Sequence, residues 1–145
     1  MKTFLTMIAW TVLAISLLQL IKVNIPDPPK SSPADEIKAP QKVMTLLKRS
    51  CYDCHSSSTK WPWYSDIAPA SFEVRQHVKD GRAWLNFKIW NQYSHKKQQK
   101  RLKGIVKTID YEMPLPSYLY IHKDARMSRK ERTLIKKWAQ TQIDK

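Results

Sequence analysis

Apolar residues recur at helical spacing in four stretches of the body of the chain, and no segment shows the strict alternation of a half-buried strand. The first stretch, residues 41–54, gathers Val43, Met44, Leu46 and Leu47 on one side. A second, shorter helix is expected from Ser71, a suitable N-cap, to about Lys79, with Gly81 as a stop signal. The third covers residues 94–110, where Leu102, Ile105, Val106 and Ile109 follow the spacing of a buried face. Lys96, Lys100, Lys103 and Lys107 fall opposite that stripe. Gly104 weakens this helix, and a close approach by a neighbouring group would account for it. The fourth, residues 128–142, opens on Ser128-Arg129-Lys130-Glu131, a capping box, and carries Leu134, Ile135, Trp138 and Ala139 on one face. The fold class expected is all-α.

Two segments precede this body. Residues 1–22 hold an apolar run, Thr3 to Ile21, between Lys2 and Lys22, long enough for one membrane-spanning helix. A cleaved signal peptide ending near Ala14-Ile15-Ser16 is the alternative. The apolar run continues through Leu17, Leu18, Leu20 and Ile21, which favours an anchor. Residues 23–40 contain Pro26, Pro28, Pro29, Pro33 and Pro40 among polar residues. They read as a semi-stiff linker with no share in a core, holding a domain of residues 41–145 off the membrane.

The chemistry concentrates at Cys51-Tyr52-Asp53-Cys54-His55, which contains both cysteines of the chain. This is a C-x-x-C-H pattern, the attachment signature of c-type haem. On one turn of helix, residues three and four apart share a face, so both thiols reach the porphyrin vinyl groups from one side. His55 is then placed to ligate the iron. A structural zinc site needs two further ligands at short spacing, and no two of His77, His95 and His122 are three to five residues apart. A thioredoxin-type pair follows a strand, whereas residues 43–50 read as helix. A disulfide across so tight a loop is strained and leaves His55 without a role.

The net charge is +14. No acidic residue lies between Asp80 and Asp110, a window that holds Arg82, Lys88, Lys96, Lys97, Lys100, Arg101, Lys103 and Lys107. Charge alone admits nucleic acid, but haem attachment is an exported chemistry, so no nucleic-acid partner is expected. An acidic redox protein, a respiratory complex or anionic lipid fits better. The lysines downstream of Ile21 outnumber Lys2, which by the positive-inside tendency argues for the opposite orientation. The haem signature outweighs that small bias. The expected location is a bacterial inner membrane with the domain on the periplasmic side.

A sixth iron ligand separates electron transfer from gas binding or catalysis. Met113, in Glu112-Met113-Pro114-Leu115-Pro116, is the best candidate, because a thioether in a proline-stiffened loop lies off any helical stripe. Its bland reading is a core methionine. His77 is the main competitor, Met127 a weaker one, and His95 and His122, set among lysines, are expected on the surface. Trp61, Trp63 and Tyr64 read as a wall of the haem crevice, able to bind a propionate through indole or phenol groups. Arg75 and Arg82 are further propionate partners. Trp84, Phe87 and Trp90 are expected to complete the core.

With these residues the chain resembles the small haem-binding domain proteins of bacterial envelopes, relatives of class I cytochrome c. The resemblance rests on residues 51–55, Trp61-Pro62-Trp63-Tyr64, Ile67-Ala68-Pro69, Gly81-Arg82, Leu85-Asn86-Phe87, Trp90, and Met113-Pro114-Leu115-Pro116 with Tyr118. It covers nearly all of 41–142. The basic stretch 95–107 is not part of its pattern. The resemblance implies a cytochrome c-like helical domain around one covalent haem c, with His55 and Met113 on the iron. The expected function is an electron carrier, not an enzyme. The alternative is a haem sensor or peroxidase-like enzyme with an open or displaceable sixth site.

Overall fold

In a computed structural model, residues 1–143 are described. Among them are seven α-helices and four short 3-10 turns, with no strand. The helices are α1 (Lys2–Leu18), α2 (Gln41–Ser50), α3 (Tyr52–His55), α4 (Ala70–Trp84), α5 (His95–Thr108), α6 (Pro116–Ile121) and α7 (Arg129–Ile143). The all-α expectation holds for the described residues.

The core lies where α2, α5 and α7 meet. Their apolar stripes supply Val43, Leu46, Leu47, Leu102, Ile105, Ile109, Ile135, Trp138 and Ala139, and α7 packs on both α2 and α5. Burial of such stripes supplies most of the driving force for the fold. The capping box of α7 forms as its sequence predicts. Ser128 N–H and hydroxyl both donate to the Glu131 carboxylate, at 2.7 and 2.9 Å, and Glu131 N–H donates back to the Ser128 hydroxyl.

Residues 23–40 are not a free spacer. Ile37 is 3 % exposed within the core, and its N–H donates to Phe87 O at 2.9 Å. Glu36 accepts from Tyr52 Oη at 2.8 Å and pairs with Lys88 at 3.1 Å. Asn91 and Gln92 reach back to Ala34 O and Lys30 O. The prolines stiffen a strap that the body holds from Lys30 onward. The core therefore begins before residue 41.

The N-terminal helix also departs from expectation. It has 17 residues, about 25 Å at the usual rise per residue, and stops at Leu18 instead of running to Ile21. No helix of the described residues is long and apolar enough to cross a membrane. The stop has a visible cause in Gln19. Its side-chain amide donates to Ile15 O at 2.9 Å and to Ala68 O at 3.2 Å, and its carbonyl accepts from Ala68 N at 2.9 Å. These bonds turn the chain onto the body.

Two further boundaries differ from the sequence expectation. The first helix breaks at Cys51, whose φ of −126° separates α2 from α3. The helix expected to stop at Gly81 runs through it to Trp84. Gly81 is there for space: a Cβ would lie 2.7 Å from Cys54 O. Gly104 has the same explanation, since a Cβ would lie 2.3 Å from the Trp84 ring. The chain has two glycines, and both mark close approaches rather than turns.

Candidate functional site

The C-x-x-C-H residues form α3, a single turn with Cys54 and His55 N–H groups both directed at Cys51 O, at 3.3 and 2.9 Å. The turn packs on α4. There the absence of a side chain at Gly81 lets the Cys54 backbone come close. This contact sets the position of His55. Its Nδ1 lies 3.0 Å from Gly81 O and 3.2 Å from Leu85 O. Two carbonyls can only accept, so Nδ1 carries the proton and Nε2 keeps the lone pair. Burial lowers the imidazole pKa, against the pull of those two carbonyls, which also keeps the ring neutral. Phe87 and Trp84 stand edge-on to it, with centroids at 6.2 and 6.4 Å. Metal-ligating histidines are commonly oriented in this way, through the second ring nitrogen.

Both thiols are free. Burial pushes Cys51 up to about 12, with Cys54 adding to the rise, and pushes Cys54 up to about 11. They are therefore neutral thiols at ordinary pH, not the activated thiolates of a redox pair. Among the described residues no group of three or more His, Cys, Asp or Glu side chains could hold a metal ion. The donor set fits a haem: two unpaired thiols three residues apart, one oriented neutral imidazole, and a glycine cradle beneath them.

The segment bearing Met113 is tied to α7 and, through Tyr118, to the motif. Arg132, on α7, donates from Nη1 to Met113 O at 2.6 Å and to Ile109 O, and its charge lowers the Cys51 pKa. Three residues into α6, Tyr118 Oη donates to Asp53 Oδ2 at 2.7 Å. Asp53 also binds the loop after the motif, accepting Thr59 Oγ1 on its carbonyl at 2.6 Å and Lys60 N on its carboxylate at 3.2 Å. Met113 is half-buried. His77 is half-exposed on α4, 4.0 Å from Glu73, and Met127 is a core residue.

His122 differs from its expectation. It is half-buried, stacked on Tyr118 with centroids 4.3 Å apart, and its Nε2 lies 2.7 Å from Tyr64 Oη. Tyr64, 8 % exposed, is thus brought to the site. Trp61 and Trp63 are not part of any buried wall, being 41 % and 80 % exposed. The Arg75 guanidinium covers the Trp61 ring at 5.2 Å. Arg82 donates from Nε to Ser56 O and from Nη2 to Thr59 Oγ1, both at 2.9 Å, and so braces the chain leaving the motif. Of the core aromatics, Phe87 and Trp90 are buried, and Trp84 is 38 % exposed between His55, Gly104 and the Arg101 guanidinium.

The contacts of Arg132, Asp53, Tyr118 and His122 are not legible in the sequence. An arginine in a basic amphipathic helix carries no local sign that it will cap a loop 19 residues away. Tyr118 stood within a recognised motif, but its partner Asp53 did not follow from spacing.

No curated protein and no solved structure matches the chain significantly. The family model described as haem-binding domain matches residues 11–141, nearly the whole chain. The chain belongs to the haem-binding domain family.

Proposed function

We propose that this haem protein is a c-type electron carrier of the bacterial envelope, with the cofactor covalently held by Cys51 and Cys54 and the iron ligated by His55 and Met113. The observation that carries the reading is the fixed tautomer of His55. Nδ1 is committed to Gly81 O and Leu85 O, so Nε2 is the only ring nitrogen with a free lone pair. Haem, when bound, supplies reversible one-electron chemistry at iron. The chain supplies geometry. His55 is held by two backbone carbonyls, and Met113 by the bonds of Arg132 to its loop. A ligand set fixed on both sides limits rearrangement between oxidation states, which suits electron transfer.

The apolar helix α1 is read as the attachment to a lipid bilayer. It buries no residue against the body, and helices apolar all round need an apolar surrounding. The haem domain is then placed on the periplasmic side, where thioether attachment occurs. Lys96, Lys100, Lys103 and Lys107 are exposed along α5 and face an acidic redox partner.

The ferric protein should show the weak far-red methionine-to-iron charge-transfer band, and Met113→Ala should abolish it. A wild-type ferrous protein that is high-spin and binds carbon monoxide at once would sink the Met113 assignment and favour a sensor or peroxidase-like reading.

A further inference from the structure

Three large apolar residues, Trp61, Trp63 and Ile67, are 41 %, 80 % and 47 % exposed on the one loop between Cys51–His55 and α4. The loop is built rather than slack. Trp63 stands edge-on to Tyr64 at 5.6 Å, and Tyr64 is buried and bonded to His122. Trp61 is covered by Arg75, which donates to Ser65 O at 3.0 Å and pairs with Asp66. Rigid support for exposed tryptophans needs a reason, because water is a poor surrounding for an indole ring.

The position of the patch supplies one. Ala68, the residue after Ile67, is the one that Gln19 grips by both its N–H and its C=O. The loop therefore meets the C-terminal end of α1, the helix whose apolar side chains are exposed apart from the half-buried Leu18. Ile21 and Lys22, just beyond that end, line a cavity of about 700 Å³ together with Trp61 and Arg75. Neither thiol, nor His55, nor Met113 lines it. Lys60 is exposed next to Trp61. Tryptophans flanked by cations at the end of an apolar helix have the composition of a membrane–water boundary.

We propose that Trp61, Trp63 and Ile67 rest in the headgroup region of the bilayer that holds α1, with Lys22 and Lys60 at the level of anionic lipid phosphates. This rests on the reading of α1 as the membrane attachment. The occupant of the patch is lipid because the loop is bonded to the end of the exposed apolar helix α1, and because Lys22 and Lys60 attract anionic headgroups while the exposed Asp66 is neutralised by Arg75. The consequence is a fixed orientation. Lys60 N and Thr59 Oγ1 are bonded to Asp53 within the motif, so a loop seated in the bilayer holds the haem motif at a set height above it.

The test uses the full-length holoprotein in vesicles of phosphatidylcholine and phosphatidylglycerol, with Trp10→Phe to silence the helix. Trp10→Phe and Trp10→Phe/Trp63→Phe are compared in ordinary lipid and in lipid brominated on the acyl chain. Both proteins should float with the vesicles. The emission that Trp63→Phe removes should be quenched at least about twofold by bromolipid, as for a ring at the boundary. Flotation without quenching of that component would overturn the docking while leaving α1 as the anchor, and would make the patch a protein-facing surface. Failure to float would remove the anchor, and the docking with it.

Discussion

The two glycines make opposite demands on their neighbours. A Cβ at Gly81 meets the backbone carbonyl of Cys54, which cannot swing aside. Gly81→Ala should cost about 1–3 kcal/mol through overpacking, despite the gain in helix propensity, and should lower the yield of haem-loaded protein. A Cβ at Gly104 meets the ring of Trp84, a side chain 38 % exposed that can shift where a backbone carbonyl cannot. Gly104→Ala should therefore be the milder change in urea denaturation, and equal losses at the two positions would contradict this account of them. Arg132 acts through the chain it holds. Arg132→Gln frees the carbonyls of Met113 and Ile109, and should cost about 1–3 kcal/mol, the worth of charged hydrogen bonds. It should also weaken the far-red methionine band, with Arg132→Lys restoring part of it. An unchanged band in Arg132→Gln would separate Arg132 from the ligand loop.

At the scale of elements, the long amphipathic helices α5 and α7 were legible because burial at regular spacing is what forms them. The shorter pieces depend on tertiary contacts. Helix α6 has no buried residue, and Tyr118 within it is held by Asp53, 65 residues away. The strap of residues 23–40 looked like a linker by composition. Ile37 alone is too small a signal to announce that it enters the core. The strap's clip is Glu36, whose pKa reflects burial pulling upward and the Tyr52 hydroxyl and Lys88 ammonium pulling downward more strongly. The net direction is down. Its contribution is fully present above the usual carboxylate range and is lost as pH falls through the lowered folded value. Glu36→Gln should cost about 1–2 kcal/mol at neutral pH and remove that part of the acid sensitivity, as urea titrations across pH would show. Acid sensitivity unchanged in Glu36→Gln would place the pH dependence elsewhere.

For the whole molecule, the turn formed by Cys51–His55 stands out in five residues of sequence, but its surroundings do not. Trp63 reads as a crevice wall because apolar residues near a cofactor motif usually are, and only three-dimensional placement shows its ring exposed. The net charge of +14 is a property at this scale too. If α5 guides an acidic redox protein, replacing Lys96, Lys100, Lys103 and Lys107 with Gln should slow electron transfer at low salt by about tenfold or more. The difference should shrink as salt screens it. Stopped-flow rates with an acidic electron-transfer protein, measured across ionic strength, would show this, and a salt-independent deficit would argue against steering.

The c-type electron-carrier reading requires covalent haem at Cys51 and Cys54. The absorption spectrum of the purified protein before and after acid–acetone extraction tests it most directly. The haem spectrum should stay with the polypeptide in the wild type, and Cys51→Ala/Cys54→Ala should release the haem to the solvent. Haem that leaves the wild-type chain freely would contradict the c-type assignment.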